Sequence, residues 1–102
     1  MGGFVKVARV EEVLPGQGKT IEAGGVQIAL FNVDGAFFAI DNTCTHAGGP
    51  LGEGTLEKNQ VECPWHGAHF DVKSGEALSP PAFEKVASYK VRVNGSDIEV
   101  EL

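Results

Sequence analysis

The sequence has few basic residues and no long apolar segment, and both absences limit what the protein can do. Eight lysines and arginines stand against fourteen aspartates and glutamates in 102 residues, a formal net charge of −6. Because nucleic-acid binding depends on basic groups that displace counterions from phosphates, we expect no nucleic-acid partner. No apolar run approaches the roughly 18 residues of a membrane-spanning helix, and the first residues lack the apolar core of a signal peptide. We therefore expect a cytoplasmic protein with no membrane partner.

Cysteine is also scarce, because the chain contains only Cys44 and Cys63. In a reducing compartment we expect two cysteines to be metal ligands or isolated thiols rather than a structural disulfide. No glycine-rich dinucleotide fingerprint follows a predicted strand, so the chain itself should bind neither NADH nor a flavin.

The length and composition of the chain predict a single small all-β domain. The chain has 14 glycines and five prolines, a mixture typical of short strands and tight turns. The β-rich segments are residues 4–8, 26–33, 36–40, 89–93 and 97–100. Asp34-Gly35 and Asn94-Gly95 separate neighbouring segments and predict two-residue hairpin turns. Only a single helical turn is expected, at residues 10–14, followed by a loop at 15–18.

The middle of the chain, residues 43–83, differs from both ends. It holds both cysteines, all three histidines and the only tryptophan. Its short predicted strands, residues 60–62 and 68–72, are interrupted by glycine-rich loops. We therefore predict a β-framework built by residues 1–42 and 84–102, with a loop-rich insertion between them that carries the function.

Two cysteine–histidine pairs dominate this insertion. Cys44 and His46 form the first pair, Cys63 and His66 form the second pair, and the sixteen residues 47–62 separate them. Each pair offers one thiolate and one imidazole, which are both metal ligands. Glycines follow each pair, and glycine allows backbone N–H groups to approach a bound sulfur closely.

Several explanations of the two pairs remain open at this point. Isolated core residues would not produce the doubled pattern, and a disulfide between the cysteines would leave both histidines without a role. A structural zinc site uses the same ligand types, although common zinc fingers place both cysteines before both histidines. The alternating order suits a two-iron cluster in which two cysteines bind one iron and two histidines bind the other.

The motif Cys-x-His, sixteen residues, Cys-x-x-His resembles the binding motif of Rieske proteins. Within that family the chain looks most like the small ferredoxins of bacterial ring-hydroxylating dioxygenase systems. The resemblance implies a Rieske-type fold, with an antiparallel β-sandwich base and an inserted cluster-binding subdomain, and one [2Fe–2S] cluster per chain. It also implies that Cys44 and Cys63 bind the inner iron and that His46 and His66 bind the outer iron.

The function implied by this resemblance is electron transfer in aromatic hydrocarbon catabolism. The protein would be a monomer that takes electrons from a flavoprotein reductase and passes them to a terminal oxygenase. It would not be an enzyme itself, because the mononuclear iron of an oxygenase needs two histidines and a carboxylate, and only His69 remains once the cluster is bound. The alternatives are a small Rieske subunit of a nitrite reductase or similar oxidoreductase, and a structural zinc module.

One further segment and two further residues carry expectations. Ser79-Pro80-Pro81 matches the proline loop that covers the cluster in the family, although the same residues could form a plain turn. By strand alternation His69 should point away from Ala68 and Phe70 and be an exposed polar residue. Trp65 either shields the cluster and contributes to docking, or serves packing alone.

Ala68 and Phe70 lead to a prediction about the redox potential. Respiratory Rieske proteins resemble this chain but have a serine and a tyrosine at these positions, whose hydroxyls donate hydrogen bonds to the cluster. Without these donors the potential should lie near the low end of the Rieske range, about −150 mV. An Ala68→Ser, Phe70→Tyr double variant should raise it by about 0.1–0.2 V. Redox titration checks this, and an unchanged potential, or a wild-type value clearly above zero, would contradict it.

Overall fold

The structure, a computed structural model, describes residues 3–43, 49–65, 67–79 and 85–102. The strands in these ranges are β1 (Phe4–Arg9), β2 (Gly18–Ala23), β3 (Val26–Val33), β4 (Ala36–Asp41), β5 (Thr55–Glu57), β6 (Gln60–Glu62), β7 (His69–Asp71), β8 (Ser88–Tyr89), β9 (Val91–Asn94) and β10 (Asp97–Glu101). Two 3₁₀ turns, Val10–Glu12 and Leu51–Glu53, are the only helical elements described. Within these ranges no helix has both the length and the apolar character needed to cross a membrane.

The strands form three antiparallel sheets. The first sheet has the order β1-β10-β9, the second β2-β3-β4-β8, and the third β5-β6-β7. Both ends of the chain build the first sheet, because β1 pairs with β10. The third sheet comes entirely from the middle of the chain. The predicted all-β architecture is confirmed.

Strand β3 joins the three sheets, because it is buried on both of its faces. Ile28 and Leu30 belong to one hydrophobic core, which they share with the first sheet. Ala29 and Phe31 alternate with them and belong to a second core, which they share with the third sheet. A strand with apolar residues at both odd and even positions suits a sheet covered on both sides. The second sheet is therefore the middle layer of the molecule.

The two predicted hairpins are present, but one turn is shifted. Asp34 and Gly35 have φ values of 53° and 93°, as a type I′ turn requires. In the second hairpin Asn94 pairs with Asp97, so the predicted Asn94-Gly95 turn is wrong and the loop is Gly95-Ser96. Gly95 is therefore the first central residue of the turn. Its φ of 64° is the positive value that a type II′ turn needs at this position.

Other strands differ from the sequence-based prediction for reasons of tertiary packing. Strand β2 starts at Gly18 within a predicted loop and pairs there with Phe31 of β3. A Cβ at Gly18 would lie only 2.5 Å from the Phe31 ring, so the glycine serves close packing. The predicted strand 89–93 is divided at Lys90, because β8 pairs with β4 and β9 pairs with β10. Lys90 is where the chain crosses between sheets.

A hydrogen bond between Tyr89 and Asp41 attaches the short strand β8 to β4. The Tyr89 hydroxyl donates to Asp41 Oδ1 at 2.5 Å, and the Ala87 N–H donates to Asp41 Oδ2 at 3.1 Å. Partial burial, together with the nearby carboxylate, raises the pKa of Tyr89 to about 12. The phenol therefore remains a hydrogen-bond donor throughout the neutral pH range.

Gly75 connects the third sheet to the segment that leads into β8, and it should not tolerate a side chain. Its φ is +82°, and an added Cβ would overlap the Val86 carbonyl oxygen. Gly16 is a matched control, because its φ is +83° and its Cβ would meet nothing within 4 Å. Gly16→Ala should cost about 1–2 kcal/mol of unfolding free energy.

Gly75→Ala should cost at least about 1–3 kcal/mol more than this control, since it adds steric overlap to the same backbone strain. Urea unfolding of both variants measures the difference. Equal losses in the two variants would show that the contact with Val86 has no energetic consequence.

Candidate metal centre

One of the four candidate ligands lies within the described residues. Cys63 follows β6 directly, and its side chain is buried, with 1% of the residue exposed. Cys44, His46 and His66 lie outside the described residues, as do Pro80 and Pro81 of the predicted cover loop. The geometry of the site is therefore built from Cys63 and from the described neighbours of the other ligands.

Backbone hydrogen bonds hold Cys63 in place. Its N–H donates to the Ala68 carbonyl at 2.7 Å, which closes the chain between β6 and β7 into a loop. The Trp65 N–H donates to the Cys63 Sγ at 3.4 Å. A thiolate gains stability from such a donor, because the N–H dipole points at its negative charge. Sequence reasoning identified the cysteine, but it had no signal for this loop closure.

The loop that contains the first pair is anchored beside Cys63. Thr43 and Pro50 form an antiparallel bridge, so the chain leaves and returns at the same place around the first pair. Next to this bridge, an added Cβ on Gly49 would lie 2.7 Å from Cys63 Sγ and 3.1 Å from Trp65 Cγ. The backbone after the first pair therefore passes directly against the thiol of the second pair. The lack of a side chain at Gly49 provides the necessary space.

The surroundings of Cys63 are apolar. Ala68 and Phe70 are fully buried and share a hydrophobic core with Cys63. Neither side chain can donate a hydrogen bond, which agrees with the basis of the redox prediction. An apolar environment also excludes water and lowers the local dielectric constant, so local dipoles such as the Trp65 N–H act more strongly on the sulfur.

His69 is not the exposed polar residue that was expected. It does lie on the opposite face of β7 from Phe70, as strand alternation predicts, but it is half-buried. Its Nδ1 lies 2.9 Å from Ser79 Oγ. The third histidine of the chain is thus bonded to the residue that begins the predicted cover loop. Trp65, by contrast, is 50% exposed beside Gly49.

The outer face of the third sheet is acidic. Glu62 of β6 lies opposite Thr55 on one side and His69 on the other. Glu57 and Asp71 flank Gln60 in the next row. Carboxylates on this face, next to the loop that holds Cys63, suit a partner with a basic docking surface.

A family model supplies the decisive comparison. The model of the Rieske [2Fe-2S] domain matches residues 3–90. The chain belongs to the Rieske [2Fe–2S] domain family. This Rieske protein is an electron carrier with a [2Fe–2S] cluster, and the zinc alternative is thereby set aside.

Named relatives are similar over nearly the whole chain. The biphenyl dioxygenase ferredoxin subunit of Pseudomonas sp. strain KKS102 is 39% identical over 99 residues, covering 96% of this chain and 91% of that protein. The 3-phenylpropionate/cinnamic acid dioxygenase ferredoxin subunit of Shigella boydii is 45% identical over 94 residues, covering 91% and 88%.

Solved structures share the fold. The ferredoxin of carbazole 1,9a-dioxygenase from Nocardioides aromaticivorans has a TM-score of 0.91 and 30% identity, covering 95% of both chains. A complex of reduced oxygenase and oxidised ferredoxin in carbazole 1,9a-dioxygenase matches with a TM-score of 0.89 and 32% identity, covering 95% of this chain and 91% of that chain. A nitrite reductase small subunit from Mycobacterium tuberculosis has a TM-score of 0.88, covers 100% and 96%, and is 23% identical, which shows the fold alone.

The described residues fit such a cluster. Cys63 presents a buried thiol with a backbone donor, and Gly49 lies beside this thiol without a side chain that would fill the space. When bound, the cluster supplies reversible one-electron transfer. The protein supplies short loops with anchored ends, an apolar surround and backbone N–H groups.

Gly49→Ala should impair cluster binding, because the new methyl group would occupy the space beside Cys63 Sγ. Gly3→Ala is the control, since a Cβ there would meet nothing within 4 Å. Iron per chain should fall by at least half after anaerobic reconstitution of Gly49→Ala and stay unchanged in Gly3→Ala. Full iron content in Gly49→Ala would mean that this close approach is not needed for the cluster.

Proposed function

We propose that four side chains hold the cluster and that this carrier links a flavoprotein reductase to a terminal oxygenase. The proposed ligands are Cys44, His46, Cys63 and His66. The observation that carries the assignment is the contact of Gly49 with Cys63 Sγ, since it brings the loop of the first pair against the second pair. Two thiolates and two imidazoles are the ligands of a Rieske centre.

The surroundings of His69 support His66 as the second histidine ligand. The chain has three histidines, and His69 Nδ1 is engaged with Ser79 Oγ on the outer side of β7. Cys63 follows β6 and His69 begins the adjacent strand β7, but Ala68 and Phe70 are the residues of that segment that share a core with Cys63. His69 is thus oriented away from the proposed cluster.

The proposed partners follow from the relatives and from the surface charge. The relatives are named as ferredoxin subunits of dioxygenases, and one solved complex pairs such a ferredoxin with an oxygenase. The net charge of −6 and the acidic outer face of the third sheet support docking to a basic surface. The reductase would deliver one electron at a time, and the oxygenase would consume it in the oxidation of an aromatic substrate.

The protein does no substrate chemistry in this scheme. A mononuclear oxygenase iron needs two histidines and a carboxylate, and His69 is the one histidine left after the four proposed ligands. The carrier would work as a cytoplasmic monomer. Residues 1–42 and 84–102 would form the base, and residues 43–83 the cluster-binding subdomain.

Metal analysis and spectroscopy test the ligand assignment. Anaerobically purified protein should contain two irons and two sulfides per chain and little zinc. Dithionite reduction should produce the EPR signal of a Rieske centre. Cys63→Ser and His66→Ala should lose this signal. His69→Ala should still assemble a cluster with two irons and a Rieske EPR signal, because this histidine lies outside the ligand set.

The electron-transfer role is tested separately. Rapid mixing with the reductase of a dioxygenase system should reduce the cluster within the turnover time of the oxygenase, and the reduced protein should support oxygenase turnover. A colourless, iron-free protein after reconstitution would refute the cluster. If the intact cluster transferred electrons in a nitrite reductase but not to an oxygenase, the dioxygenase role would be refuted. The alternative of a small nitrite reductase subunit would then be favoured.

A further inference from the structure

One peptide group links Cys63 to Ser79. The Ala68 carbonyl accepts the Cys63 N–H at 2.7 Å, and the N–H of the same peptide, on His69, donates to Ser79 Oγ at 3.1 Å. A peptide hydrogen-bonded at both ends is polarised, and each bond strengthens the other. The position of the Ser79 hydroxyl therefore influences how firmly the backbone of Cys63 is held.

The Ser79 hydroxyl takes the place of a backbone acceptor. Phe70 and Ala77 form an antiparallel bridge, and the Leu78 N–H donates to the His69 carbonyl at 2.8 Å. In a regular ladder the His69 N–H would return a bond to the Leu78 carbonyl. Here it donates to the side chain of Ser79 instead. Because backbone contacts already hold this segment, the side-chain bond is not needed merely to attach it.

The His69 imidazole orients this hydroxyl. Ser79 Oγ accepts the backbone N–H of His69 and also lies 2.9 Å from His69 Nδ1. The hydroxyl and the ring share a hydrogen bond whose direction depends on the tautomer of the imidazole. One residue therefore contacts the hydroxyl twice, once through its backbone and once through its ring. Neither contact uses an atom of the proposed ligand set.

We propose that His69 and Ser79 are a pair of positioning residues for the cluster. Ser79 acts on Cys63 through the Ala68–His69 peptide, and His69 acts by holding the Ser79 hydroxyl. The inference rests on the proposed function, because it takes Cys63 as a cluster ligand. Loss of either side chain should loosen the loop that holds Cys63, speed the loss of the cluster and alter its spectrum.

Ser79→Ala and His69→Ala test the proposal directly in the cluster-loaded protein. Each should bleach about fivefold faster than wild type under a fixed chelator concentration, the factor expected for one net hydrogen bond. Each should also shift the EPR g-values and the midpoint potential. Ser79→Thr keeps a hydroxyl and His69→Asn keeps a polar atom near the Nδ1 position, so both should restore wild-type behaviour.

The matched control is Ser74→Ala, the same substitution in the turn after β7, where the hydroxyl is hydrogen-bonded to Glu76. It should leave the bleaching rate, g-values and potential unchanged. The double variant His69→Ala, Ser79→Ala should bleach no faster than Ser79→Ala alone, because both side chains act through one hydroxyl.

Three outcomes would overturn the inference. In the first, both single alanine variants keep the wild-type bleaching rate, g-values and potential, whether or not their thermal stability falls. This result would show that the pair only attaches a loop. Additive effects in the double variant would show that the histidine does not act through Ser79.

If wild type itself holds no cluster, the proposed function fails and this inference fails with it. Should Ser79→Ala not fold, His69→Ala and His69→Asn decide the question.

Discussion

The burial of β3 on both faces is the constraint on which the rest of the structure depends. Its even-numbered apolar residues bind the middle sheet to the first sheet, and its odd-numbered ones bind it to the third. Burying an apolar side chain contributes about 1.5–3 kcal/mol, so Phe31 and Leu30 stabilise two separate interfaces from one strand. The small third sheet, with strands of three residues, would not be stable without this support.

Backbone contacts position Cys63, the one candidate ligand of the metal centre that lies within the described residues. Cys63 is fixed by the Ala68 carbonyl and the Trp65 N–H, and Gly49 meets its sulfur with no side chain between them. Both loops begin and end at paired residues, Thr43 with Pro50 and Glu62 with His69. These pairings fix the positions of the flanking residues from which the candidate ligands extend.

Sequence reasoning succeeded for features that neighbouring residues alone determine. The turn at Asp34-Gly35 follows from residues that tolerate positive φ, and the alternation around Phe70 follows from strand geometry. It failed for features that depend on contacts between residues distant in the sequence. Strand β2 begins at a glycine because Phe31 of β3 packs over it. His69 was expected to be exposed, because nothing near it in the sequence indicates a bond to Ser79, ten residues away.

The order of amino acids was enough to establish the family, the cofactor and the acidic character of the protein. A Rieske cluster takes two thiolates and two imidazoles, and these residue types can be read without coordinates. The contacts that position Cys63, the candidate ligand within the described residues, emerged only from the folded chain. The approach of Gly49 to Cys63 and the peptide between Ala68 and His69 depend on how sheets pack. Which residues come into contact depends on side-chain volume and hydrogen-bond geometry in the packed structure, and no short sequence pattern contains this information.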